Sequence, residues 1–224
     1  MADFVELEID GHSVSVPEGT LIVDAAKRAG NDIPVFCYHP KLEPVGMCRM
    51  CLVEVGTPSC NRESGELQTD ERGELQINWL PKLQTACTVP VSAGMRVRTA
   101  TEHVTRARKD VVELLLTSHP LDCPVCDKGG ECPLQNLTMS HGTGKSRYLF
   151  DEKINLQKRV PLGDLIFLDR ERCIQCARCT RFQDELVGES VIGFDQRGRA
   201  LQIVSLSDPG FDSCFSGNTT DICP

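Results

Sequence analysis

Residues 172–179 read Arg-Cys-Ile-Gln-Cys-Ala-Arg-Cys, so three cysteines follow one another at intervals of three positions. This spacing is the core of the run C-x2-C-x2-C-x3-C-P, which ligates [4Fe–4S] clusters, whereas zinc sites rarely use it. The fourth cysteine of that run would fall at Gln183, but a Cys-Pro pair occurs far downstream at Cys223 and Pro224. The pattern predicts one [4Fe–4S] site rather than a two-cluster ferredoxin. Its ligands, the third ligand set in chain order, are Cys173, Cys176, Cys179 and Cys223.

The second ligand set lies upstream and combines one histidine with three cysteines. Its spacing is His119-x3-Cys123-x2-Cys126-x5-Cys132. Such a set suits either structural zinc or a [4Fe–4S] cluster, and a histidine at a helix end can also simply face the helix dipole. The residues 127–131, Asp-Lys-Gly-Gly-Glu, predict a tight turn whose amides can donate to cluster sulfides. This turn favours the cluster.

The first ligand set has the spacing Cys37-x10-Cys48-x2-Cys51-x35-Cys87. A close pair, a preceding cysteine and a distant fourth are typical of [2Fe–2S] sites, although the plant-type spacing has four residues where this chain has ten. Structural zinc and buried free thiols are the alternatives. A strand–strand–helix pattern before the set, and a second sheet segment before its last cysteine, favour the [2Fe–2S] cluster.

The segment before the first set has the pattern of a β-hairpin followed by a short helix. Apolar residues alternate from Val5 to Val16 around Asp10-Gly11, which is a strong turn signal. A helix is predicted from Leu21 to Ala29, with Thr20 as its N-cap.

Beyond the first set, the pattern changes to that of a longer helix. Thr99 and Glu102 form a predicted capping box, and Pro120 ends the helix. Residues 136–164 are polar and weakly patterned. Strands and helices thus occupy separate regions, which indicates an α+β fold.

Composition excludes several classes of protein. The 224 residues carry 24 Lys and Arg against 32 Asp and Glu, and this net charge of −8 argues against a nucleic-acid binder. No apolar run approaches the 18 residues of a membrane span, and the N-terminus lacks the features of a secretory signal. The cysteine count of 13 is odd, so metal ligands are favoured over disulfides.

Two cysteines and four arginines remain outside the ligand sets. We expect Cys60 to be a free thiol, and Cys214 competes weakly with Cys223 as fourth ligand of the third set. The arginines suit the surroundings of a cluster, a partner interface or a solvated face equally well; they are Arg170, Arg172, Arg178 and Arg181.

Three segments carry a resemblance to a known family. Pro44–Val53, His119–Cys132 and Arg172–Cys179 resemble the large iron–sulfur subunit of respiratory complex I, which is the NADH-quinone oxidoreductase. All twelve predicted ligands fall in the family's order, and the resemblance covers essentially the whole chain.

The resemblance implies three domains. They are a β-grasp [2Fe–2S] ferredoxin-like domain at 1–92, a His(Cys)3-ligated [4Fe–4S] domain at 93–150, and a [4Fe–4S] domain at 151–224. The last two are small helical or loop-rich segments, and we expect a larger C-terminal domain to follow.

The resemblance also implies a function. The chain would relay electrons from NADH, through the FMN- and NADH-binding subunit, toward quinone, without a catalytic site of its own. Its partners would be the other subunits of the hydrophilic arm of complex I. They would hold it at the cytoplasmic side of the membrane, and it would neither span the membrane nor bind nucleic acid.

Two alternatives remain open from the sequence. The diaphorase small subunit of NAD-reducing hydrogenases shares this N-terminal architecture, although residues 217–224 resemble complex I more closely. A zinc-stabilised interaction protein is the alternative from another class. Iron and acid-labile sulfide in a brown protein would exclude it.

Overall fold

The computed structural model describes residues 3–60, 67–69, 71, 73–208 and 210–224. These residues form two compact units. The first unit comprises the described residues of Met1–Val35 and Arg49–Arg108, and the second comprises those of Phe36–Cys48 and Lys109–Pro224.

The first unit is built on a six-stranded sheet with the order β2-β1-β6-β3-β4, in which β5 also pairs with β3. Strands β1 and β6 are parallel, and the remaining pairs of this sheet are antiparallel. The strands are β1 (Phe4–Ile9), β2 (His12–Pro17), β3 (Leu52–Pro58), β4 (Ile77–Trp79), β5 (Gln84–Thr85) and β6 (Arg96–Arg98).

The predicted hairpin is confirmed. In β1 and β2, Leu7 pairs with Val14, and the turn residues Asp10 and Gly11 have φ values of 47° and 84°. Positive φ at both positions is what a two-residue turn needs to match the strand twist. The hairpin therefore presents Leu7, Ile9 and Val16 to the core, where all three are buried.

Helix α1 (Ile22–Arg28) buries Ile22, Val23, Ala25 and Ala26, and its predicted cap is wrong. The N-cap residue is Leu21, which makes no side-chain capping bond. The Thr20 hydroxyl instead donates to the Pro17 carbonyl oxygen at 2.6 Å, so it closes the preceding turn.

Helix α2 (Glu102–Ser118) begins as predicted, but a different threonine caps it. The amide of Val104 donates to the hydroxyl of Thr101 at 3.3 Å. The Thr99 amide donates to the Asp10 carboxylate at 2.7 Å, so Thr99 is tied to the hairpin turn and the predicted capping box is wrong. The helix ends one residue before His119, as the following proline predicts.

The second unit consists of short elements. Helix α3 (Pro133–His141) lies partly in the stretch that has no clear sequence pattern; it buries Leu134 and Thr138, which are one turn apart. Helix α4 continues as a π-helix over Phe182–Val187. The further elements are β7 (Val160–Pro161), β8 (Phe167–Leu168), α4 (Arg178–Arg181), β9 (Ile192–Asp195), β10 (Gln202–Ser205) and α5 (Ser216–Asp221).

A small apolar core supports the third ligand set. It consists of Leu162, Ile192, Ile203 and Phe211, and both Cys173 and Cys179 pack against it. The chain crosses itself tightly beside this core, because the Phe211 amide donates to the Leu162 carbonyl oxygen at 2.7 Å. Only a glycine fits next to this contact.

Substituting Gly163 tests this crossing. A Cβ atom at Gly163 would lie 1.9 Å from the backbone oxygen of Phe211, so Gly163→Ala must push two backbone segments apart. We expect it to lower the local free energy of unfolding by about 1–3 kcal/mol, measured by hydrogen exchange in β9 and β10. Gly217→Ala is the control, since a Cβ there meets nothing within 4 Å. Equal protection in the two variants would contradict the expectation.

Candidate iron–sulfur sites

A cavity in the second unit brings the second ligand set together. Its volume is about 290 Å³, and His119, Cys123, Cys126 and Cys132 all line it. This volume is many times what a single ion or water needs. The cavity and its donors therefore fit a [4Fe–4S] cluster.

The environment of His119 keeps its imidazole neutral. Burial lowers the pKa of His119 to about 4, and the positive charge of Lys153 lowers it further, while the Asp169 and Asp122 carboxylates oppose the shift. A histidine must be unprotonated to bind a metal. At neutral pH this residue is therefore already in the ligating form.

The turn between Cys126 and Cys132 is tight, as predicted, but three of its amides donate to oxygen atoms. The Gly129 amide donates to the Cys126 carbonyl at 2.9 Å, and the Glu131 amide donates to the Lys128 carbonyl at 3.2 Å. The Gly130 amide donates to the side-chain oxygen of Gln135 at 3.3 Å. The prediction that these amides serve cluster sulfides is wrong for these three.

The backbone of the third ligand set curls around its cysteines. Gln175 and Ala177 have φ values of 55° and 61°, so left-handed residues alternate with the cysteines. Such alternation turns successive amides into a concave surface that suits anions. The Gln175 amide already donates to the Cys173 sulfur at 3.4 Å.

The four thiols of the third set interact with one another. Burial raises the pKa of Cys176 to about 11 and that of Cys179 to about 12, and the Cys223 thiol raises both further. Burial also raises the pKa of Cys223 itself, followed by the effect of Cys173, although Cys223 as a residue is exposed. This mutual effect supports Cys223 as the fourth ligand. Cys214 is exposed, as is Cys60.

Gln183 occupies the position where the ferredoxin run has its fourth cysteine, and the structure gives it another task. Its side chain is completely buried, and its amide nitrogen donates to the Thr219 hydroxyl at 2.7 Å. Thr219 belongs to α5, the helix that immediately precedes Cys223. Gln183 thus anchors the segment that carries the distant ligand. The sequence indicated only a missing cysteine at this position.

The first ligand set is divided between the two units. In the second unit, the Cys37 amide donates to the Cys48 sulfur at 3.5 Å and the Cys48 amide donates to the Cys37 sulfur at 3.4 Å. Two amides are thus already aimed at sulfur, as a thiolate-held cluster requires. Gly46, with a φ of 61°, lies in the tight loop before Cys48.

In the first unit, Cys51 and Cys87 are both buried and belong to adjacent backbone segments. The Ala86 amide donates to the Cys51 carbonyl oxygen at 3.0 Å. The buried Arg108 guanidinium donates to the Leu52 carbonyl oxygen at 3.1 Å, and its charge acts on the Cys51 thiol.

Two of the four arginines noted in the sequence bind the loop that carries Cys37. Arg178 donates to the Tyr38 carbonyl oxygen at 2.7 Å, and Arg181 donates to the Glu43 carbonyl oxygen at 2.6 Å. Arg181 also donates to the Cys37 carbonyl oxygen. Both arginines lie in α4 with Cys179, so they tie part of the first set to the third set within the second unit.

A third arginine links the second and third sets. Arg172, directly before Cys173, pairs with Asp122, directly before Cys123, at 3.2 Å. Lys158 pairs with the same carboxylate and with Glu171, and Arg172 also reaches Asp169 at 3.2 Å. These ion pairs join the two cysteine-bearing segments.

Two absences apply to the described part of the chain. No group of three or more His, Cys, Asp or Glu side chains there is arranged to hold a metal ion directly. No helix among those residues is both long and apolar enough to cross a membrane.

Three family models match successive parts of the chain. They are a 2Fe-2S iron-sulfur cluster binding domain over residues 2–102, the NADH-ubiquinone oxidoreductase-G iron-sulfur binding region over 108–147, and the ferredoxin-like domain of NADH-quinone oxidoreductase subunit 3 over 163–224. These matches confirm the predicted ferredoxin-like sheet followed by [4Fe–4S] binding segments.

Whole-chain comparisons agree. The NADH-quinone oxidoreductase-G protein of Streptomyces coelicolor is 45% identical over 99% of this chain and 24% of its own length. Subunit 3 of Thermus thermophilus NADH-quinone oxidoreductase is 41% identical over 98% of this chain and 29% of its own. The chain thus spans only 24–29% of these relatives.

The fold also has a solved counterpart. A chain of the NAD+-reducing [NiFe]-hydrogenase in the H2-reduced state superposes with a TM-score of 0.72 at 27% identity, covering 92% of this chain and 76% of that chain. The family models and the sequence relatives name another enzyme. The chain belongs to the NADH-quinone oxidoreductase-G family of large iron–sulfur subunits and corresponds to the N-terminal iron–sulfur binding region of these proteins.

Proposed function

We propose that this chain is the electron-relay part of an NADH-quinone oxidoreductase and holds one [2Fe–2S] and two [4Fe–4S] clusters. The first ligand set would hold the [2Fe–2S] cluster, and the second and third sets would each hold a [4Fe–4S] cluster. Bound clusters supply one-electron transfer, and the protein supplies their spacing and their surroundings.

The observation that carries this proposal is the electrostatic contact between ligand sets in the second unit. The Cys37 thiol of the first set acts on Cys176 of the third set. The Cys132 thiol of the second set acts on Cys223 of the third set. This supports a spatial order of first, third and second set. Short separations of this kind are what electron relay needs.

The remaining residues of the site hold these distances. Arg178 and Arg181 anchor the loop of Cys37 to α4 through its carbonyl oxygens. The pair of Arg172 with Asp122 joins the second and third sets. Neither contact uses a cysteine side chain, so the thiols stay available for iron.

The membership of a larger assembly follows from the family. We propose the domain boundaries 1–92, 93–150 and 151–224, with the other subunits of the hydrophilic arm as partners. Among them would be the FMN- and NADH-binding subunit, and the assembly would hold the chain at the cytoplasmic face of the membrane.

Metal analysis of the full-length protein tests the proposal. We expect iron and acid-labile sulfide in about equal amounts, with about ten irons in this region. Cys48→Ala, Cys123→Ala and Cys176→Ala should remove about two, four and four irons, respectively. Cys60→Ala and Cys214→Ala are the controls, since both residues are exposed and outside the ligand sets, and they should remove none. Zinc in place of iron at the second or third set would contradict the proposal.

The fold similarity to the hydrogenase chain favours a second candidate, a relay within an NAD-reducing hydrogenase. The native assembly that contains this chain distinguishes the two. NADH-dependent reduction of a quinone supports the first candidate. H2-dependent reduction of NAD+ without quinone reduction supports the second.

A further inference from the structure

A buried lysine lies behind the second ligand set. Lys153 is 7% exposed, and its nitrogen donates to the Leu116 carbonyl oxygen at 2.5 Å and to the Ser146 hydroxyl oxygen at 2.8 Å. The Ser146 hydroxyl in turn donates to the same Leu116 oxygen at 3.0 Å. Both acceptors therefore take a proton from the lysine, as an ammonium requires.

The lysine has no opposite charge of its own. Within the described ranges no carboxylate pairs with Lys153; its polar partners are the two neutral oxygens. A buried ammonium costs free energy unless a negative group compensates it. Hydrogen bonds to neutral oxygens offset only part of that cost.

The position of the ammonium points to the missing negative charge. Its partners Leu116 and Ser146 both line the cavity that His119 and the three cysteines of the second set share. Of the charged side chains that act on the His119 imidazole, Lys153 has the largest effect. Asp169, Asp122 and Arg172 also act on it, but these three are engaged in ion pairs with one another.

We propose that the Lys153 ammonium is the counter-charge of the anionic cluster held by the second ligand set and that it raises the reduction potential of that cluster. The inference rests on the proposed function. One-electron reduction adds one negative charge at the site and breaks no bond, so a nearby cation stabilises the reduced form over the oxidised form. The low local dielectric strengthens this effect, and burial shields it from salt. Net charge near a cluster is one of the factors that set its potential.

A redox titration of the full-length protein within its native complex, followed by electron paramagnetic resonance, tests the inference. The signal of the second set is the one that His119→Ala removes. In Lys153→Met this signal should titrate at a lower potential, and the shift should persist at high salt. Lys153→Arg keeps the charge and should shift it less.

Lys145→Met is the matched control. Lys145 is exposed but lines the same cavity, so water and salt screen its charge and the potential should hardly move. The signal of the third set is an internal standard and should shift less than that of the second set in Lys153→Met.

An unchanged potential in Lys153→Met, with the cluster present, would overturn the inference and leave the lysine as a cap for the C-terminal carbonyls of α2. If Lys153→Met lost the cluster, Lys153→Gln is titrated instead, and loss in both would assign the lysine to holding the segment and overturn the inference. Absence of the cluster from the unsubstituted protein would instead refute the proposed function.

Discussion

Replacing His119 with alanine is expected to remove the [4Fe–4S] cluster of the second ligand set and to leave the other two clusters in place. The loss is about four of about ten irons, which is a large effect for one side chain. The physical reason is that alanine offers no donor to the fourth iron, and the cavity around His119 is lined mainly by the three remaining cysteines and apolar groups. Iron analysis and electron paramagnetic resonance measure the outcome.

His119→Cys separates ligation from potential. A thiolate carries one negative charge more than a neutral imidazole, so the cluster should assemble but become harder to reduce. His103→Ala is the matched control, because the His103 side chain is 60% exposed, lies near the start of α2 and is outside every ligand set. If His119→Ala kept all three signals and its full iron content, His119 would not be a ligand.

The ligand sets could be predicted from the sequence because cluster chemistry depends on spacing along the chain. The triple spacing of Cys173, Cys176 and Cys179 indicates a cluster loop before any fold is known. The hairpin is equally local, since Asp10-Gly11 and the alternation around it suffice to define the turn and the register. Both features depend on neighbours only a few residues away.

Features that depend on distant partners could not be predicted in this way. Thr99 matches a capping box, but its amide is taken by Asp10, which lies 89 positions away along the chain. Helix α3 has weak periodicity because only Leu134 and Thr138 are buried. Neither the anchor at Gln183 nor the buried Lys153 carries a local signal, because each gains its role from a contact with another segment.

Removal of iron is expected to unfold the cysteine-bearing segments of the second unit while the sheet of the first unit persists. The sheet has an apolar core of its own, with Leu7, Ile9, Val16, Val53 and Val97 all buried. Burial of such side chains contributes about 1.5–3 kcal/mol each, and this contribution does not depend on metal.

The second ligand set has no comparable support. The short helical turn Cys123–Val125 buries none of its residues, and Leu121 and Val125 are 48% and 73% exposed. Metal binding therefore has to supply much of the free energy that orders residues 119–132, as in other small metal-held segments. The third set is intermediate, because Cys173 and Cys179 pack against the core around Phe211.

Hydrogen exchange on the full-length protein, before and after anaerobic removal of iron with a chelator, measures the difference. We expect the amides of β1, β2, β3 and β6 to keep their protection and those of residues 119–132 to lose nearly all of it. Residues 173–223 should lose protection next, with β9 and β10 the last to exchange among them. Equal protection of all three regions without iron would mean that packing alone holds the ligand loops. The clusters would then be guests of a preformed scaffold rather than part of what folds it.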